Sequence, residues 1–259
     1  MTNILLTLSY DGTDFCGWQR QDTPPGEKPV RTVQGELEGA LCRMLRVPVA
    51  VQGSGRTDSG VHALGQAANF FSPVDTVPEE NYVRALNDML PGDVRVMSAK
   101  KVPEDFSSRF NATSRIYRYF FFTQKIIPAS RTRYVWHLGY KPDVSILNQM
   151  AECLRGELDC ASFSAAGDQS VSTFRYIDGA RFYEETDDTL VFEIEANAFL
   201  WRMVRSIAGT LIQGEQKGYD AAWFKSVLES RDRSRTLFTA PACGLFLHQV
   251  KFDGVRRHV

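Results

Sequence analysis

Along the 259-residue chain the hydrophobic periodicity alternates between a period of two and one of 3.6, in the same order twice. Ile4–Tyr10 alternates as a strand, and Leu37, Ala40, Leu41, Met44 and Leu45 fall at helical spacing. Val47–Val51 and His62–Phe71 read as two more strands. Glu79–Leu90 reads as a helix stopped by Pro91-Gly92, and Val94–Ala99 as a fourth strand. The second half opens on the aromatic-rich strand Thr113–Thr123, followed by a helix marked by Val144, Leu147, Met150 and Leu154 and closed by Gly156. Phe174–Tyr183 and Leu190–Ala196 read as a hairpin around acidic Glu184–Asp188. Phe199–Gln213 and Ala221–Leu228 read as helices, and Leu245–Phe252 as the last strand. Two successive β-α-β-β-α-β orders predict an α/β (α+β) fold of two tandem ferredoxin-like halves. Each would be an antiparallel sheet covered by helices, and the cleft between them is the default site. A boundary near Val102–Asp105 gives an N-terminal domain of residues 1–105 and a C-terminal domain of 106–259. Residues 23–29 are expected to be loop.

Composition narrows the function classes. Hydrophobic content of 43% and charged content of 24% are those of a soluble globular protein. No apolar run reaches membrane-spanning length, and Met1-Thr-Asn-Ile-Leu-Leu lacks a leader pattern, so a cytoplasmic protein is expected. Five scattered cysteines form no Cys-x-x-Cys pair, and His62, His137, His248 and His258 show no ligand spacing, so no metal is expected. The net charge of −1 hides an asymmetry: up to Asp105 there are 10 Lys+Arg against 14 Asp+Glu, and beyond it 20 against 17. Of the 30 basic residues, 22 are arginine, whose planar fork pairs with phosphates in a way an ammonium cannot. A localised basic face is thus permitted; a plain solvated surface fits equally well.

Chemistry-bearing residues gather in three places. Gly53-Ser54-Gly55-Arg56-Thr57-Asp58-Ser59-Gly60-Val61-His62-Ala63 has three glycines in eight positions and reads as a tight loop carrying Arg56, Asp58 and His62. An ordinary hairpin turn with an Asx-bonded Asp58 accounts for the same run. On the strand 113–123, alternation puts Arg115, Tyr117, Tyr119 and Phe121 on one face, and such aromatics are ordinarily core. The helix expected at Phe199–Gln213 is apolar over most of its circumference, yet carries Arg202 and Arg205 three apart. A buried arginine needs a carboxylate partner; a structural ion pair or snorkelling to solvent would satisfy either one.

The loop run GRTDSGVHALGQ, together with motifs in the same order along the chain, resembles TruA-type tRNA pseudouridine synthases. Those motifs are Tyr10-Asp-Gly-Thr-Asp-Phe-Cys-Gly-Trp-Gln-Arg20-Gln, Thr32-Val-Gln-Gly-Glu-Leu-Glu38, Ala85-Leu-Asn-Asp-Met-Leu-Pro91, Arg115-Ile-Tyr-Arg-Tyr119, Asn197-Ala-Phe-Leu-Trp-Arg-Met-Val-Arg205 and Ala240-Pro-Ala-Cys-Gly-Leu-Phe-Leu247. The resemblance implies isomerisation of uridine at positions 38, 39 and 40 of the tRNA anticodon stem-loop, by a homodimer, with neither cofactor nor metal. It assigns Asp58 as the catalytic nucleophile, Arg205 as its partner and Tyr117 as the residue that contacts the target base. Arg56, Arg20, Arg109 and His62 are carried over as substrate-binding candidates, although a lone histidine on a strand is more often a packing residue. Phe106-Ser107-Ser108-Arg109-Phe110 matches an RNA-contacting segment but has Ser107 where the family commonly has histidine. Arg231, Arg233 and Arg235 are further phosphate candidates, or a solvated loop. The rival reading, a non-catalytic RNA-binding protein of two RRM-like halves, lacks the basic-Gly-aromatic run that such domains place on a central strand.

Overall fold

The computed structural model describes residues 1–21, 26 and 30–257; the loop expected at 23–29 lies, apart from Gly26, outside them. The described elements are, in chain order, β1 (Thr2–Tyr10), α1 (Val33–Leu45), β2 (Gln52–Gly53), β3 (His62–Ser72), α2 (Glu79–Met89), β4 (Val94–Val102), β5 (Ser114–Phe122), β6 (Trp136–His137), α3 (Val144–Ala151), β7 (Gly156–Asp159), β8 (Phe174–Thr186), β9 (Thr189–Ala196), α4 (Met203–Gln216), α5 (Ala221–Glu229) and β10 (Leu245–Lys251). Among these residues no helix is long and apolar enough to cross a membrane.

The chain divides into two compact units, one of Met1–Ala112 with Leu247–Asp253 and one of Thr113–Phe246 with the described residues after Asp253. The break falls later than the 105/106 expected. Hydrogen bonds explain the difference: Asn3 Nδ2 donates to Pro103 O and Phe106 O, and Ser108 Oγ donates to Gln52 O, so the connecting segment belongs to the first unit.

In the first unit the strands run β4-β1-β3-β10, with β2 also on β3. The β1–β4, β1–β3 and β2–β3 pairs are antiparallel, as a β-α-β-β-α-β order requires. Alternation along β1 sends Ile4, Leu6, Leu8 and Tyr10 inward, where they join Val33, Leu37 and Leu41 of α1 and Tyr82 and Leu86 of α2 in the core. Each such side chain contributes about 1.5–3 kcal/mol of hydrophobic free energy. α1 starts at Thr32, whose side chain accepts from Gly35 N.

Residues 47–51 do not form the strand expected from their β-branched composition. Val51 N–H instead donates to Glu38 Oε1 at 3.0 Å, and Val51 O accepts from Gln34 Nε2 at 3.0 Å. Two polar residues one turn apart on the buried face of α1 have taken the place of a ladder partner, so only Gln52 and Gly53 pair with β3.

The second unit orders its strands β5-β9-β8-β7, with β6 running parallel beside β5. As the alternation implied, Tyr119 and Phe121 are fully buried; they stack on each other with centroids 4.7 Å apart, in a core shared with Phe182 and Phe192. The helix expected from Phe199 begins instead at Met203. Arg202 adopts φ 59, Trp201 N donates to Asp168 Oδ2, and Met203 N donates to Leu200 O, so Phe199–Arg202 is an approach loop. Arg202 and Arg205 therefore do not share a helical stripe.

Candidate active site

The loop that carries Asp58 is held from beneath, and the support starts at α1. The first turn of a helix leaves its N–H groups without intrahelical partners. Here Val33 N donates to Gly17 O and Gln34 N to Trp18 O, which pins residues 17–18 onto the helix end. Trp18 N in turn donates to Thr57 O at 3.1 Å, Ser59 Oγ donates to Phe15 O, and Gln66 Nε2 donates to Gly55 O at 2.8 Å. Thr57 Oγ1 lies 2.8 Å from the buried Tyr10 hydroxyl. Burial pushes that hydroxyl above the usual phenol range, although hydrogen bonds with Thr57 and Gln66 pull the other way, so it stays a neutral donor or acceptor.

Two glycines make the contact possible. Gly17 has φ +89, and a Cβ on it would stand 2.6 Å from Thr57 O; a Cβ on Gly12 would stand 2.0 Å from Val61 O. The Asp58-Ser59-Gly60-Val61 turn closes with Val61 N donating to Asp58 O at 3.1 Å, and Gly60, at φ +77, supplies the positive φ of its third position. Asp58 is thus a half-buried carboxylate on an immobilised turn, while Arg56 beside it is exposed.

His62, carried as a substrate contact, is fully buried. Its Nδ1 accepts from Gly12 N at 3.0 Å and lies 3.2 Å from Asp11 Oδ1. It ties the 11–18 segment to the start of β3, which is a packing role.

In the second unit, Tyr117 on β5 is 8% exposed, and its ring meets Phe199 edge-on at 5.1 Å. Arg205, in the first turn of α4, is held by a reciprocal pair: its Nε donates to Ala240 O at 2.8 Å, and Ala240 N donates to its backbone O at 3.0 Å. The Tyr119 hydroxyl donates to Pro241 O at 2.5 Å, so the 240–241 segment that orients the Arg205 guanidinium is itself anchored in the core.

A family model for tRNA pseudouridine synthase matches residues 7–111 and 150–253. A tRNA pseudouridine synthase A from Treponema denticola is 53% identical over 250 residues, covering 96% of this chain and 92% of the relative. Another from Brachyspira hyodysenteriae is 39% identical, covering 97% and 99%, and one from Thermotoga petrophila 37% identical, covering 97% and 100%. The chain belongs to the tRNA pseudouridine synthase family. Its chemistry is the isomerisation of uridine to pseudouridine in tRNA.

The remaining candidates of this synthase divide by what already holds them. Arg20 Nη1 contacts the buried carboxylate of Glu38 at 2.5 Å, so part of its charge is spent inside the protein. Arg109 is exposed and lies over the exposed Phe110 ring at 5.4 Å, an arrangement suited to RNA. Ser107 serves the local structure, since its hydroxyl accepts from Arg109 N and Phe110 N and donates to Gln52 Oε1, which fixes the turn that presents Arg109. The three arginines at 231–235 diverge: Arg231 pairs with Asp159 at 3.0 Å, Arg235 reaches Ser226, and Arg233 reaches Ser206 and Thr239. A groove of about 770 Å³ in the second unit contains none of the catalytic candidates. Its lining carries Glu152, Glu157, Asp159 and Glu229 against Lys225 and Arg231, a poor host for a polyanion.

Tyr10, Gln66, Gln34 and Glu38, the residues that brace the loop, stand inside the sequence motifs, but the motifs give them no role. A signal was present for the last two, which are polar residues at i and i+4 on an otherwise apolar helical stripe.

Proposed function

We propose that this synthase acts on uridines 38, 39 and 40 of the tRNA anticodon stem-loop, in the cytoplasm, with Asp58 as nucleophile and Arg205 as its counter-ion. The reaction breaks the N1–C1′ glycosidic bond, turns the uracil and joins C5 to C1′; C5 then loses its proton and N1 gains one, so that the product is an isomer of the substrate. It needs a displaced nucleotide, flipped at a cost of a few kcal/mol, and one carboxylate held still while the base turns. The observation that carries the reading is the braced turn: five hydrogen bonds and two glycine contacts immobilise the backbone on either side of Asp58. Tyr117 contacts the extruded uracil, Arg56 holds the displaced nucleotide, and Arg109 contributes a phosphate contact.

The test is pseudouridine mapping on an unmodified tRNA transcript. Asp58→Asn keeps the shape and removes the charge, so product should fall below detection while tRNA binding persists. Arg205→Lys should lose one to two orders of magnitude in kcat, because an ammonium cannot reproduce the forked contact. Near-normal product from Asp58→Asn would remove Asp58 from the mechanism.

A further inference from the structure

We infer that Arg202 and Arg233, with Trp201 holding the first of them, form a binding subsite for a backbone phosphate of the tRNA, one helical turn from Arg205. This rests on the reading of the chain as a tRNA-modifying enzyme.

Arg233 comes from the 3₁₀ turn Arg233–Arg235 and reaches the first turn of α4, where its Nη1 donates to Ser206 Oγ at 2.5 Å and its Nη2 to Thr239 Oγ1 at 2.7 Å. Arg202 stands at the start of the same turn, and its carbonyl accepts from Ser206 N. One guanidinium thus reaches the first turn of α4, and the residue that opens that turn carries another; among the described residues neither has a carboxylate partner, and the ion pair of the neighbouring Arg231 is with Asp159. Partial burial, then the neighbouring Arg202, hold the Arg233 guanidinium below its usual basicity. Like charges brought together without a counter-ion raise the energy of the folded chain, and an anion seated between them would relieve it.

Three surrounding features agree. The N-terminal turn of α4 itself has no acidic residue and no side-chain cap. The neighbouring carboxylate of Asp168 is engaged by the N–H groups of Trp201 and Ser170. Arg202 is exposed, and its guanidinium lies over the half-exposed Trp201 ring at 4.9 Å, which holds a planar fork toward solvent. Planar forks of this kind bind phosphate oxygens two at a time.

Arg202→Gln and Arg233→Gln are to be compared with wild type in tRNA binding over a series of salt concentrations, with Arg181→Gln, whose arginine is already paired with Glu193, as control. Each subsite variant should weaken binding about tenfold and reduce the salt slope by about one phosphate's worth. Arg202→Lys should keep most of the slope but recover only part of the affinity. Arg233→Gln removes two internal hydrogen bonds; if it unfolds, the exposed Arg202→Gln decides alone. Wild-type affinity and slope in Arg202→Gln overturns the subsite. So does Arg202-dependent thermal protection by inorganic phosphate with no change in the tRNA slope, which would mark a site for the free anion. Absence of pseudouridine from wild-type protein, with the Arg202-dependent slope intact, would overturn the activity assigned above and leave the subsite standing.

Discussion

What singles Asp58 out in the structure is the backbone around it. Gly17 and Gly218 both have positive φ, at +89 and +74, yet only Gly17 faces other atoms, with Thr57 O 2.6 Å from a hypothetical Cβ. The pair separates strain from positioning. Alanine at either site should cost about 1–2 kcal/mol through the left-handed backbone alone. Gly17→Ala must in addition push Thr57 and Asp58 out of place, so kcat should fall at least tenfold, whereas Gly218→Ala should keep wild-type kcat. Equal kcat in the two variants would show that the loop tolerates displacement. The same logic accounts for Glu38, which is 7% exposed and accepts from Val51 N, Gln34 Nε2 and Arg20 Nη1. Glu38→Ala leaves the buried Val51 N–H unpaired, and chemical denaturation should register a loss of about 1–3 kcal/mol.

At the scale of elements, the β8–β9 hairpin depends on one turn carboxylate. Asp188 is held down to about 2 from the ordinary 3.8, first by the hydroxyls of Thr186 and Thr189 and then by Arg131. Its folded value lies below its unfolded one, so the stability it contributes is complete above about pH 4 and is lost as pH falls through 2. Asp188→Asn should therefore melt below wild type at neutral pH, and the gap should close between about pH 4 and pH 2. A gap that stays constant over that range would mean that shape rather than charge holds the hairpin. In α4 the backbone sets the limit of an element. The apolar pattern runs back to Phe199, but the helix waits for Met203, because Arg202 at φ 59 stands outside the right-handed helical region.

For the whole molecule, we propose a symmetric dimer that grips one tRNA arm with both subunits. Each chain has a net charge of −1, so tRNA must be held by local arginine groups rather than by the overall field. Sedimentation at micromolar concentration should give a dimer, and the affinity for tRNA should fall steeply with salt at constant target sequence. A fully active monomer would refute the dimer. A flat salt dependence would refute recognition through phosphates.

The element order, the mixed α/β class and the family were legible in the chain by itself, because periodicity and glycine-framed motifs are local properties that need no folding to read. The buried faces of β1 and β5 follow from the same alternation. What tertiary structure alone decided was where side chains outcompete backbone pairing. Glu38 and Gln34 take the polar groups of Val51 and erase a strand, and Gly12 N–H donates to a fully buried His62. Each of these joins residues distant in sequence through a hydrogen bond whose strength depends on burial. Arg231, Arg233 and Arg235 are identical in type and close in sequence, yet they reach Asp159, Ser206 and Ser226, because the turn that holds them points each guanidinium at a different neighbour.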